Sequence, residues 1–196
     1  SILRFIEFDG KITLNNHEIT VKDFNEVGYL PEERSLFEDL TIESQITYFA
    51  ELKGRDKKWV KERIDSWLKR FEVKGEAKDK IKSLSKGNQQ KVQLICTLIH
   101  EPKLVILDEP FSGLDPVNAD LLKKEIIRTK ENGAAIIFSS HDMNNVEELC
   151  DHVVMLRNGN VVLNGGVDEI RNQFGKKYIF VTTDMSVNEL AALDGV

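Results

Sequence analysis

The chain has 196 residues, enough for one large domain or two small ones, with 41% hydrophobic and 31% charged residues, an ordinary composition for a soluble globular protein. Its net charge of −6 argues against a surface for nucleic acid. Cys96 and Cys150 are the two cysteines, far apart and without a CxxC, which disfavours a disulfide or zinc site and suits a reducing compartment and small core fillers. No apolar run approaches the roughly 18 residues of a membrane span and none reads as a signal peptide, so any link to a membrane is expected to run through a partner.

Taken in order, SILRFI (1–6) reads as a piece of helix that begins abruptly. Asp9-Gly10 is a turn, KITL a short strand, Asn15-Asn16 a second turn, and EVGYL (26–30) a strand closed by Pro31. Thr41 to Arg70 is helical. Thr41 and Ser44 offer a helix start, Ile42, Ile46, Phe49 and either Ala50 or Leu52 share a face, and Gly54 ends that helix. Val60, Ile64, Trp67, Leu68 and Phe71 form a further amphipathic stripe, whose spacing favours packing over a stacking role for Trp59 and Trp67. LSKGNQ (84–89) is a polar turn leading into a buried helix that contains VQLICTLI.

Leu104–Leu107 is an unbroken apolar run, read as a strand buried on both faces of a parallel sheet. Pro110 stops it, which leaves Asp108 and Glu109 at its carboxyl end, where open α/β sheets bind ligands. Asn118–Lys130 reads as a helix ended by Gly133, and AAIIFSS (134–140) as a second buried strand running into His141. Val146–Cys150 is a short helix, VVMLRNGNVVLNG a hairpin turning at Asn158-Gly159, and Val167–Phe174 another helix. After Gly175, KYIFVTT reads as a strand, and Ser186 with Glu189 as a helix start. His17, His100 and His152 have no chemical context and read as surface or packing residues.

Together these pieces resemble the ATP-binding cassette family, the nucleotide-binding subunits of ABC transporters, over nearly the whole chain. LVILDEP resembles the family's Walker B strand with its following glutamate, SGLDP (112–116) the D-loop that includes Asp115, SSH (139–141) the strand end with the switch histidine, and LSKGNQ the signature LSGGQ, with Lys86 and Asn88 as departures. Four motifs in family order make a specific signal. The resemblance implies an α/β fold: a P-loop NTPase-like core sheet (1–37 and 101–174), an inserted helical and signature subdomain (38–100), and the truncated start of a small C-terminal domain (175–196).

It also implies roles. Asp108 would bind the Mg²⁺ shell as a hard oxygen ligand, Glu109 would polarise the attacking water, and His141 would reach the γ-phosphate of ATP. Ser85, Lys86, Gly87 and Asn88 would close over the ATP held by a second cassette, using a helix N-terminus that favours anions, and Asp115 of the D-loop would be a further ATP-binding residue. Pro31–Arg34 falls where the family has its Q-loop, and there Glu32 stands for the glutamine. A carboxylate can still reach Mg²⁺ but cannot donate when ionised. This variant and the tail resemble bacterial sodium and drug exporter ATPases, so the expected partners are an integral membrane permease and a second nucleotide-binding subunit, homologous or identical, at the cytoplasmic face of the membrane.

The family's phosphate loop, GxxxxGK followed by Ser or Thr, does not occur in these residues. The chain therefore reads as lacking an N-terminal portion, and on its own is expected to bind MgATP poorly and to be inactive. Two other readings remain. A soluble cassette ATPase of DNA repair or translation would carry a long coiled coil between Glu32 and Ser85, or two cassettes; here that stretch is compact and the cassette single. A non-catalytic regulatory cassette would have little use for Ser85, Asp108, Glu109 and His141 together.

Overall fold

The computed structural model describes residues 2–33, 35–173 and 185. The strand and helix start expected after Gly175 lie outside them. Residues 2–6 form turns and bends, not the expected helix. So short a stretch cannot offset the cost of helix nucleation, and Arg4 adopts a left-handed φ of +56° while donating to the Ile19 carbonyl at 2.8 Å. β1 (Thr13–Leu14) and β2 (His17–Glu18) form a small antiparallel ribbon. Its turn, Asn15-Asn16, has φ of +51° and +66°, the geometry that matches strand twist.

A 3₁₀ segment, Val21–Glu26, leads into β3 (Val27–Leu30). α1 (Ile42–Leu52) begins where the Thr41 hydroxyl accepts from Ser44 N at 3.1 Å. Ala50 rather than Leu52 completes its buried face; Leu52 is 58% exposed. α2 (Lys57–Lys61), capped by Asp56, and α3 (Ile64–Arg70) follow. The helix breaks at Glu62 and Arg63, yet Val60, Ile64, Trp67, Leu68 and Phe71 are all buried. Trp67 stacks on Phe71 with centroids 5.7 Å apart, and Trp59 lies under the Arg55 and Arg63 guanidinium groups. Both tryptophans are packing residues. Arg70 lies over Trp67 and pairs with the buried Glu125.

α4 (Lys86–Leu98) is buried from Val92 to Leu98. β4 (Leu104–Leu107), α5 (Pro116–Glu131), β5 (Ala135–Phe138) and α6 (Met143–Leu149) complete the first of two compact units, Ser1–Leu149. Its parallel sheet runs in the order β3-β4-β5, with Leu30, Leu107 and Phe138 in register. β5 corrects an expectation. Its apolar run predicts a buried strand, but it lies at an edge of this sheet among the described residues, and Ile137 is 47% exposed. One cluster joins α1, α3, α4 and the sheet through residues such as Ile46, Phe71, Ile95, Val105 and Leu107. Gly28 lets α4 approach β3 closely: a Cβ there would stand 2.5 Å from the Thr97 carbonyl oxygen. Cys96 is a free, buried thiol whose pKa burial pushes up, as a core filler's should be.

The second unit, Cys150–Val196, contains β6 (His152–Arg157), β7 (Asn160–Gly166) and α7 (Val167–Gln173). The two strands form the expected hairpin, turning at Asn158 (φ +50°) and Gly159 (φ +77°).

Candidate functional site

The parallel ladder continues one step beyond the ends of β4 and β5. Asp108 N donates to the Leu30 carbonyl at 2.9 Å and Ser139 N to the Leu107 carbonyl at 3.0 Å. Asp108 and Ser139 are therefore level at the carboxyl edge of the sheet, the ligand-binding edge of open α/β folds. Pro110 ends the strand, and the chain doubles back: Ser112 N donates to the Glu109 carbonyl at 3.0 Å. Glu109 takes a left-handed φ of +43°, a conformation that costs a residue with a Cβ about 1–3 kcal/mol. It turns the side chain toward His141, whose Nδ1 lies 3.0 Å from Glu109 Oε2.

Glu109 is sheltered, its side chain 22% exposed, whereas that of His141 is 83% exposed. The hydrogen bond to Glu109, and then the charge of Glu109, raise the His141 pKa above its ordinary value; Asp142 and Glu32 act in the same direction. A small crevice brings Glu32, Asp108 and Glu109 together with Gln90, Gln93 and Ser112. Among the described residues no three His, Cys, Asp or Glu side chains converge as a ready metal cage. Of these three carboxylates, Glu32 and Asp108 are hard oxygen donors of the kind that would suit Mg²⁺.

Ser85–Asn88 do not line this crevice. Ser85 caps α4, its hydroxyl accepting from Asn88 N at 3.4 Å and from Asn88 Nδ2 at 3.0 Å. Asn88 Oδ1 in turn accepts from Lys74 N at 2.9 Å, so this side chain braces the turn. Lys86 is exposed. Gly87 abuts α5, where a Cβ would stand 3.1 Å from Asn118 Nδ2. Asn118 N donates to Asp115 Oδ1 at 3.0 Å and its amide donates to the other carboxylate oxygen. These bonds, the backbone one first, hold the Asp115 carboxyl below the usual range. Two groups of residues thus result: Glu32, Asp108, Glu109 and His141 at the sheet edge, and Ser85–Asn88 with Asp115 at the N-termini of α4 and α5.

Sequence reasoning missed Ser139, Gln90 and Gln93 at the first group. Ser139 Oγ donates to Asp108 Oδ1 at 2.6 Å and accepts from Glu109 N at 2.9 Å. A signal for the glutamines was present: Gln90, Gln93 and Thr97 recur at helical spacing through a stretch in which Lys91 is the one charged residue. Gln93 also donates to the Glu33 carbonyl at 3.4 Å.

Comparison with known proteins bears on what this edge does. A family model described as ABC transporter matches residues 2–112. An uncharacterised ABC transporter ATP-binding protein of Alkalihalophilus pseudofirmus is 46% identical over 188 residues, 96% of this chain and 70% of the relative. The uncharacterised ABC transporter ATP-binding protein YhaQ of Bacillus subtilis is 42% identical over 188 residues, again 96% of this chain but 63% of its own length, so the chain spans about two thirds of such relatives. A solved structure described as the ATP-binding subunit of an ABC transporter superposes with a TM-score of 0.70 at 34% identity, covering 85% of this chain and 67% of that one.

Proposed function

The chain belongs to the ABC transporter family, whose ATP-binding subunits are ATPases, and from that premise we propose that it is part of the ATP-hydrolysing subunit of a membrane exporter. The observation that carries the reading is the edge where Asp108, Glu109 and His141 meet at the ends of two parallel strands. Asp108, with Glu32 across the crevice, would hold Mg²⁺, which would supply positive charge to offset that of the phosphate oxygens. Glu109 takes a proton from the attacking water as the water oxygen bonds to the γ-phosphorus and the bridging bond to ADP breaks. His141 leaves Glu109 for the γ-phosphate when nucleotide is present. Ser85–Asn88, with Asp115 beside them, serve the nucleotide of a second subunit, which agrees with their absence from the Glu109 crevice.

The helical stretch 40–71, with Glu32 at its entrance, receives a permease at the cytoplasmic face of the membrane. In support, no described helix is long and apolar enough to cross a membrane, and Phe37 and Tyr48, both exposed, meet edge-to-face at 5.6 Å beside Phe49. Such an apolar patch fits a partner's helix. Export rather than import rests on Glu32 in place of glutamine. The test is Glu109→Gln in the full-length protein. Nucleotide binding should persist, turnover should fall at least about a hundredfold, and an ATP-bound dimer should accumulate. Near-normal hydrolysis would sink the assignment of Glu109.

A further inference from the structure

We propose that Ser139 is a positioning residue that sets both carboxylates with a single hydroxyl. Its O–H is donated to Asp108 Oδ1 at 2.6 Å, and the same oxygen accepts the Glu109 backbone N–H at 2.9 Å. The two bonds use the hydroxyl in opposite senses, so one atom ties the metal-binding side chain to the backbone of the water-activating one. The first bond occupies one oxygen of Asp108 and leaves the other for the metal. The second holds the peptide at which Glu109 enters its left-handed conformation, which is what turns that side chain toward His141. Alanine would break both links, whereas threonine keeps the hydroxyl. Ser139 is exposed and its backbone already bonds to Leu107, so the strand end does not need this side chain in order to form.

This inference rests on the reading of Asp108 and Glu109 above, and the experiment separates the two. In the full-length protein, with a non-hydrolysable ATP analogue bound, Mn²⁺ affinity is measured by electron paramagnetic resonance beside kcat and KM for MgATP. Ser139→Ala should weaken Mn²⁺ binding about tenfold and lower kcat about ten- to a hundredfold, as loss of a ligand's supporting hydrogen bond does, while KM for ATP stays within about twofold. Ser139→Thr should restore both. Unchanged Mn²⁺ affinity in Ser139→Ala overturns the proposal even if kcat falls, and so does a Ser139→Thr variant as impaired as Ser139→Ala. Should the alanine variant fail to fold, Ser139→Cys decides, its weaker donor predicting a partial loss and an unchanged affinity refuting it. Asp108→Asn is the control: if it binds Mn²⁺ normally, the metal role of Asp108 and this proposal fall together. If it loses Mn²⁺ and Ser139→Ala does not, only the proposal falls.

Discussion

Two histidines show how the same side chain serves opposite ends. The His141 pKa is raised by Glu109, so its charged pair is present at low pH and is lost as pH rises through the folded value. Glu109→Gln should lower the His141 midpoint, readable by NMR in the same sample used for turnover. His100 is 2% exposed, and burial first, then the charge of Lys53 and more weakly that of Arg55, lowers its pKa to about 4 from 6.5. The unfolded chain therefore binds a proton that the folded chain refuses. Stability is full above the unfolded value and falls as pH drops from about 6.5 toward 4, by on the order of 3 kcal/mol. Urea unfolding at pH 7 and pH 4.5 should show that loss in the wild type and a much smaller one in His100→Leu. An equal loss in both would place the acid sensitivity elsewhere.

Elements separate structural from functional duty at Ser85. Its hydroxyl caps α4, so Ser85→Ala should cost about 1 kcal/mol. Ser85→Asp keeps a good cap, yet brings a carboxylate to a helix end that is to face a partner's phosphate. It should melt like the wild type and fail to dimerise with ATP, as sedimentation would show; dimerisation as in the wild type would remove the turn from the interface. Most elements were legible because their periods and stops agree: the Thr41 cap, the apolar run before Asp108, the Asn158-Gly159 turn. The break between α2 and α3 was not, because the buried stripe from Val60 to Phe71 stays in phase across Glu62 and Arg63. An apolar run also says nothing of how many neighbours its strand will have, which is why β5 reads as buried and is not. SILRFI misled because a local apolar pattern cannot reveal that Arg4 would bond to Ile19.

For the whole molecule, the residues that meet at the sheet edge were legible as an ordered set of motifs before any distance was known. The parts that escaped, Ser139 and the two glutamines, depend on which strand ends are level and which helix face meets the crevice, and these are tertiary facts. That GxxxxGK followed by Ser or Thr does not occur in these residues has a consequence of its own. Without the nest of backbone N–H groups and the lysine that neutralise the β- and γ-phosphates, Asp108, Glu109 and Glu32 would face a polyanion across one metal ion. These 196 residues alone should bind MgATP with a Kd of about 1 mM or weaker, a binding free energy no better than about −4 kcal/mol. Micromolar binding by calorimetry would reveal a phosphate site outside the motifs described.

The close seating of α4 on β3 at Gly28 has a mechanical meaning. With no side chain between Gly28 and the Thr97 carbonyl, and with the Thr97 hydroxyl 3.4 Å from the Tyr29 carbonyl, strand and helix have no cushion on which to slide. From Thr97 to Ser85 the helix is a stiff rod of about 18 Å. A tilt of about 5° at its seat moves the Ser85 end by about 1.5 Å, enough to make or break a hydrogen bond. Glu32 lies two residues past the end of the strand on which that rod is mounted, and Gln93 of the helix donates to the neighbouring Glu33 carbonyl at 3.4 Å, so the rod is tied to this stretch as well as seated on the strand.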